Sequence, residues 1–344
     1  MNPLTWTIMV TSLLMMTIIV LSSHHWLLVW IGLELNTLSV IPIIITHHHP
    51  RATEAATKYF LIQTAAAALI LFAGILNTWK TGLWTFTYTP SPSTTMIMLA
   101  AMLKLGLAPL HFWYPDVLQG ATLLTALIIS TWQKIAPLAI LYTISQTPST
   151  TMLMVGLLSA LVGGWMGLNQ TQMRKLLAFS SIAHMGWLMS ALTLNPKLAT
   201  MTLIIYMLTT TAVFLLLSST TTLTTLDLSS AHSSQPTLTM ALMLLVLSLG
   251  GLPPLSGFLP KWLILNELVS QDLTLLATLI ALASLPSLYF YLRITFLSLL
   301  MAPPNNSATE LKWRFKPTFS PTLTMTAPLA TLVLPLAPPF INTL

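Results

Sequence analysis

Apolar stretches long enough to cross a bilayer follow one another along nearly the whole of this 344-residue chain. One crossing takes about 20 apolar residues. About eleven such segments are present, at roughly 3–21, 26–45, 59–79, 94–112, 119–145, 150–168, 175–194, 198–219, 238–268, 273–298 and 321–341. Short polar or proline-bearing turns part them, among them "SSHH", "THHHPRATEAATK", "TPSPSTT" and "NQTQMRK". Two longer connectors cover 220–237 and 299–320. Lipid offers backbone polar groups no partner, so segments of this length must be helices. Charged residues make up only 6% of the chain and mean hydropathy is +0.82, whereas a soluble domain is about one quarter charged. The expected fold is therefore all-α and polytopic, with about eleven transmembrane helices and no soluble domain.

Several function classes are excluded or disfavoured. The chain has no cysteine, which removes disulfides, cysteine-ligated iron–sulfur clusters and thiol chemistry. There is no G-x-G-x-x-G, no P-loop and no histidine pair spaced to hold haem, so neither a cofactor nor a metal is expected in this chain. The net charge of +6 has no soluble basic domain to carry it, so a nucleic-acid partner is not expected. The N-terminal "MNPLTWTIMV" lacks both a basic region and the Arg- and Ser-rich character of an import signal. The first helix is expected to stay in the mature protein.

Orientation follows from the basic residues near segment ends. With loops numbered alternately, one side collects Arg51, Lys58, Arg174, Lys175, Arg293, Lys312, Arg314 and Lys316, and the other Lys80 and Lys197. The N-terminus is expected on the positive-inside face, and an odd helix count puts the C-terminus opposite.

An internal repeat points to a transporter architecture. "GLAPLHFWYP" (Gly106–Pro115) and "GLPPLSGFLP" (Gly251–Pro260) share the pattern G-L-x-P-L-x4-P. They fall in segments four and nine, and an odd spacing implies halves inverted in the membrane. The expected organisation is a membrane domain over 1–298, made of two inverted five-helix repeats over about 1–145 and 150–298. A connector and last helix follow over 299–344. Gly250, Gly251, Pro253, Pro254, Gly257 and Pro260 cluster in segment nine, and Ser130, Thr131 and Pro137 flank Lys134 in segment five. Proline removes a backbone donor and clashes with the preceding turn, so both segments are expected to be broken helices. Broken helices survive in lipid only where the freed groups face protein or water.

Four charges lie deep in apolar segments: Glu34, Lys104, Lys134 and Lys261. Each costs about 2.5–3.5 kcal/mol at mid-bilayer, and the four together on the order of 10 kcal/mol, unless polar partners or water face them. Helix-locking salt bridges are the bland explanation, but one carboxylate cannot neutralise three lysines. A row of titratable groups for proton transfer is the other. Burial can bring a lysine's proton affinity near neutrality. A Glu–Lys pair about 7 Å apart, at an effective dielectric near 20, interacts by about 2.4 kcal/mol. Moving one charge through 100 mV takes about 2.3 kcal/mol, so one ion pair opening or closing matches the work of pumping. His184, inside segment seven, is either a further relay or a hydrogen-bonded structural residue. His111 is a relay candidate near a segment end. Asp116 either guards an entrance or caps segment five. The run His47–His49 has metal-ligand character but lies at a membrane edge with no second ligand cluster, and is read as interfacial.

The stretches "GLELNTLSVIPI", "LKLGLAPLHFWYPDVLQG", "STWQKIAPL" and "SLGGLPPLSGFLPKW" resemble the signature stretches of the NADH:ubiquinone oxidoreductase chain 2 family. These are antiporter-like proton-pumping membrane subunits of mitochondrial respiratory complex I, and the likeness runs over about residues 1–342. It implies that Glu34 pairs with Lys104, that Lys134 is the central relay in a broken helix, and that Lys261 continues the chain toward neighbouring subunits or the exit. At Asp116 the family also uses glutamate, so the carboxylate is kept. The resemblance further implies complex I membrane subunits on both sides, surrounding lipid, and FMN, iron–sulfur clusters and ubiquinone handled by partners. It places the N-terminus in the matrix and the C-terminus in the intermembrane space. Larger members of the superfamily carry additional N-terminal helices. Their absence here leaves a surface that must face lipid or another subunit. A stand-alone cation/proton antiporter and a purely structural spacer are the rival readings.

Overall fold

The computed structural model describes residues 3–46, 48–85, 91–144, 150–300 and 321–332. Among them every regular element is helical, and the only β features are two isolated bridges, His25–Thr85 and Gln172–Thr224. Among the described residues eight helical stretches are long and apolar enough to cross a membrane, one of them, Leu123–Ile144, with a short turn inside it. Segments four and nine fall short of that length because each is interrupted. The last segment is described only to Leu332.

The chain forms two compact units, Met1–Thr147 and Pro148–Leu344. The first contains α1 (Pro3–Ser22), α2 (Trp26–Ile45), α3 (Pro50–Thr81), α4 (Ser91–Leu105), α5 (Trp113–Gly120), α6 (Leu123–Ser130) and α7 (Ile135–Ile144). Here α3 packs on α2, α4 and α5, while α1 packs on α2 and α7. Most of α1 faces outward: only 17% of its apolar window is buried, and Leu4, Ile8, Met15 and Ile18 are exposed. An apolar outer surface of this extent suits lipid, not water. With 32 residues, α3 is about 48 Å long, well beyond the about 30 Å of a hydrocarbon core. Its first turns, with Arg51, Glu54 and Lys58, thus extend past the apolar stretch.

The second unit contains α8 (Thr150–Gly167), α9 (Met173–Leu194), α10 (Pro196–Thr220), α11 (Thr225–Ser234), α12 (Pro236–Gly250), α13 (Phe258–Ser270), α14 (Thr274–Leu300) and α15 (Pro321–Leu332). At its centre is α9, 89% of whose apolar window is buried, packed on α8, α10, α13 and α14. Small residues let α8 and α9 approach closely. A methyl group added at Gly163 would come within 2.6 Å of the Ala183 nitrogen, and one at Gly186 within 2.6 Å of the Gly156 carbonyl.

Helix interruptions position the interesting side chains. Between α6 and α7 the chain tightens into a 3-10 turn, Trp132–Lys134. The Ser130 and Thr131 hydroxyls donate to the Leu127 carbonyl, which loosens the backbone ladder there. Pro137 has no N–H to give to the Gln133 carbonyl one turn back. In segment nine, α12 ends at Gly250 and α13 starts only at Phe258. Segment four breaks as well: α4 stops at Leu105 and α5 starts at Trp113, an interruption the apolar pattern over 94–112 concealed. The leading glycine of each repeated motif ends a helix in the left-handed conformation, Gly106 at φ 69° and Gly251 at φ 78°.

One connector is more ordered than the sequence reading gave: residues 220–237 contain the short helix α11. Arg293, counted near the end of segment ten, lies within α14 and donates from Nη1 to the Leu168 carbonyl (2.7 Å), just past the end of α8. A cation suits the carbonyl end of a helix. Lys312, Arg314 and Lys316 lie outside the described residues.

Candidate functional site

In the first unit Lys104 and Lys134 line one small cavity. Lys104 sits in the last turn of α4 and is 6% exposed; Lys134 sits on the 3-10 turn and is 2% exposed. Tyr59 and Gln63 from α3, Tyr114 from α5 and Gln133 complete the polar lining. The space open to the centre of a water molecule is about 10 Å³, enough for about one water with polar partners around it. The Lys104 ammonium donates to Gln63 Oε1 (3.4 Å), and Gln63 Nε2 donates back to the Lys104 carbonyl (3.4 Å). The Lys134 Nζ lies 5.1 Å from the centre of the Tyr114 ring, within cation–π range.

Glu34 projects from α2 and is partly buried. Lys58 pairs with Glu54 (2.8 Å) and with Asp116 (2.9 Å), away from Glu34. One Glu34 oxygen, Oε2, is enclosed with no hydrogen-bond partner. A buried carboxylate oxygen in that position can accept a proton or a water-borne hydrogen bond.

In the second unit Lys261 lies in the first turns of α13. Its ammonium donates to the Gly250 carbonyl (2.8 Å), one of the carbonyls left without a helical partner where α12 ends. The negative end of a helix dipole thus holds the cation. The Trp187 ring centre is 5.9 Å from the same nitrogen. Lys261 lines a cavity of about 30 Å³, measured at the centre of a water molecule, with His184, Trp187, Tyr206, Thr209 and Ser248. The His184 and Tyr206 rings are 5.7 Å apart. His184 and Lys261 are therefore brought to one space.

The remaining candidates stand elsewhere. His111 is buried in the α4–α5 turn against Phe112, with ring centres 4.3 Å apart, and does not line the Lys104–Lys134 cavity. Asp116, in the first turn of α5, is about half exposed and bridges to Lys58 over an open cleft that also holds Arg51 and Glu54. Within the His47–His49 run, His47 lies outside the described residues. His49 caps α3, its Nδ1 accepting from the Arg51 amide (3.2 Å). No group of three metal-ligating side chains occurs among the described residues.

The sequence reading missed the neutral members of both clusters: Tyr59, Gln63, Tyr114 and Gln133 in the first, Trp187 and Tyr206 in the second. A signal was present for the amides. Asn36, Gln63 and Gln133 are polar groups inside apolar segments, where they persist only with partners. A search for charge alone passes over them.

The family model described as NADH:quinone oxidoreductase/Mrp antiporter, TM matches residues 23–286, and that described as NADH dehydrogenase subunit 2 C-terminus matches 288–341. The chain is 49% identical to NADH-ubiquinone oxidoreductase chain 2 of Xenopus laevis over 342 residues, covering 98% of this chain and 99% of that one. It is 49% identical to the Gallus gallus chain of that name, covering 100% of both. Among solved structures it is similar to a chain of respiratory complex I from Thermus thermophilus with bound aureothin. There the TM-score is 0.84 and identity 29%, over 97% of this chain and 78% of that chain. A chain of the Mrp complex from Dietzia sp. matches at TM-score 0.79 and 16% identity, over 97% of this chain and 75% of that chain, a likeness of fold alone.

Proposed function

The chain belongs to the NADH-ubiquinone oxidoreductase chain 2 family, and from that premise we propose that it is a core membrane subunit of respiratory complex I that translocates protons along Glu34, Lys104, Lys134 and Lys261. Partner subunits carry electrons from NADH to ubiquinone. This chain contributes no redox centre: its part is to accept, hold and release protons at lysine Nζ atoms and at the Glu34 carboxylate. It is set in the mitochondrial inner membrane with other membrane subunits on both sides and lipid around it. The proposed topology has about eleven spans in two inverted repeats, with the N-terminus in the matrix and the C-terminus in the intermembrane space; the excess of Arg and Lys near one set of segment ends supports it.

The observation that carries this reading is the placing of Lys134. It stands at an interruption between two half-helices, enclosed, beside a cavity that it shares with Lys104 and a set of neutral hydrogen-bonding groups. A charge is expensive there, and a cavity lined by a second lysine and neutral hydrogen-bonding groups can lodge the water that a proton transfer needs. A proton passes from one Nζ to the next through an intervening water: the ammonium gives one proton to the water oxygen while the water gives another to the neutral amine. Charge on Glu34 biases that step, since charges several ångströms apart interact by about 2 kcal/mol at an effective dielectric near 20.

The test replaces Lys134 with Met in the assembled complex and measures both NADH:ubiquinone turnover and proton pumping. Loss of pumping-coupled turnover with normal assembly is the expected result. Unchanged pumping sinks the proposal in favour of a structural spacer. Autonomous cation/proton exchange by the purified chain sinks it in favour of a stand-alone antiporter. That last reading is already disfavoured, because one buried acid among three lysines makes a poor sodium site.

A further inference from the structure

From the contacts around the 3-10 turn we infer that the reciprocal amide pair of Asn36 and Gln133 is a positioning device for Lys134, tying the turn that bears the lysine to the helix that bears Glu34. This inference rests on the proton-relay reading above. Asn36 Nδ2 donates to Gln133 Oε1 (3.0 Å), and Gln133 Nε2 donates to Asn36 Oδ1 (3.1 Å). The Tyr59 hydroxyl adds a second donor to Gln133 Oε1 at 3.4 Å. Asn36 is 2% and Tyr59 1% exposed, while Gln133 is partly buried, so these bonds are largely sheltered from solvent.

The turn needs an external constraint. Its backbone is held by two tight-turn bonds, the Lys134 N–H to the Thr131 carbonyl at 3.2 Å and the Ile135 N–H to the Trp132 carbonyl, of poorer geometry than helical ones. Pro137 cannot supply the amide that would otherwise bond the Gln133 carbonyl. Side chains therefore add to what orients Trp132–Lys134, and Gln133 is the residue of the turn whose side chain bonds other helices at both of its polar ends.

Two apolar residues of similar volume would hold α2 against the turn without burying any polar group. What the amide pair adds is direction. A reciprocal pair is satisfied in one register only, whereas apolar side chains slide. Asn36 lies two residues after Glu34, Gln133 lies next to Lys134, and Gln133 itself lines the cavity shared by the two lysines. A shift of α2 is thus transmitted to the position of the Lys134 ammonium relative to Lys104 and to the Tyr114 ring.

Three variants of the assembled complex test this. Gln133→Leu removes the pair. Asn36→Gln with Gln133→Asn exchanges the two side chains and rebuilds it. Asn36→Leu with Gln133→Leu keeps packing volume and drops direction. Gln133→Leu is expected to lower proton-coupled turnover about tenfold, within what a misplacement of about 1 Å costs in group transfer. The exchanged pair is expected to recover most of that loss, and the double-leucine pair to stay low while assembling. Wild-type turnover in Gln133→Leu overturns the inference. So does recovery in the double-leucine variant equal to that of the exchanged pair, which would reduce the contact to packing. Should Gln133→Leu fail to assemble, the exchanged and double-leucine pairs decide between them. Lys134→Met separates the two levels: if it stops pumping while Gln133→Leu does not, the amide inference alone fails, whereas if Lys134→Met pumps normally the relay reading fails first.

Discussion

Gly251 lies directly against the Lys261 side chain. Gly251 has φ 78°, and a methyl group built on it would lie 3.0 Å from both Cδ and Nζ of Lys261. Gly82, at the end of α3, has φ 71° and nothing within 4 Å of the same methyl group. Replacing either by alanine carries the left-handed backbone cost of about 1–2 kcal/mol. Only Gly251→Ala also pushes Lys261 from the Gly250 carbonyl. Gly82→Ala should therefore lower the melting midpoint of the complex slightly and leave pumping per electron intact, whereas Gly251→Ala should lower both. Equal effects on pumping would mean that the Lys261 contact is immaterial. At this scale the sequence told which residues were out of place in lipid, since Glu34, Lys104, Lys134 and Lys261 stand out by charge alone. It did not tell what each would touch. The Lys261–Gly250 bond spans eleven residues and exists only because two broken halves fold back on one another.

Helix ends were partly legible and partly hidden. The break around Lys134 follows from Thr131 and Pro137, and that around Gly251 from its run of glycines and prolines. The break after Leu105 carries a weaker form of the same mark, Gly106 and Pro109, which Leu107, Ala108 and Leu110 mask by continuing the apolar pattern. The short helix α11 carries a signal that hydropathy overlooks. Thr224 and Asp227 form a capping box, with the Asp227 amide bonding the Thr224 hydroxyl (3.2 Å) and the Thr224 amide bonding the Asp227 carboxylate (2.8 Å). Those bonds hold the Asp227 carboxyl below its usual range, the Thr224 amide contributing most. A depressed folded-state value means that this contribution is present above the ordinary aspartate range, near pH 3.9, and is lost as pH falls through the lower folded value. Amide hydrogen exchange in α11 should therefore accelerate as pH drops below about 4 relative to the intrinsic rate, and should be fast at neutral pH in Thr224→Ala, whose lost cap is worth about 1 kcal/mol. Exchange in α11 that ignores both changes would show that packing on α12 and α14 holds the helix by itself.

For the whole molecule, the absence of cysteine makes orientation directly measurable, because any introduced thiol is the only one in this chain. Asn169, in the exposed turn after α8, belongs to the side rich in Arg174 and Lys175; Lys197, at the exposed start of α10, belongs to the opposite side. In sealed membranes Asn169→Cys should react with an impermeant reagent from the matrix side and Lys197→Cys from the intermembrane side. The reverse pattern would overturn the proposed topology.

The amino-acid sequence by itself determined that this chain is helical and lives in lipid, and which charged groups are expensive there. Those properties are local: a bilayer imposes one rule on each stretch of about 20 residues, and composition answers it. Only the tertiary structure decided which polar groups meet. Asn36 and Gln133 are 97 residues apart, and Gln63 and Lys104 are 41 apart. Those encounters depend on how helices pack against one another, which a pattern of apolar residues read along the chain does not encode, because lipid-facing and helix-facing positions are alike apolar.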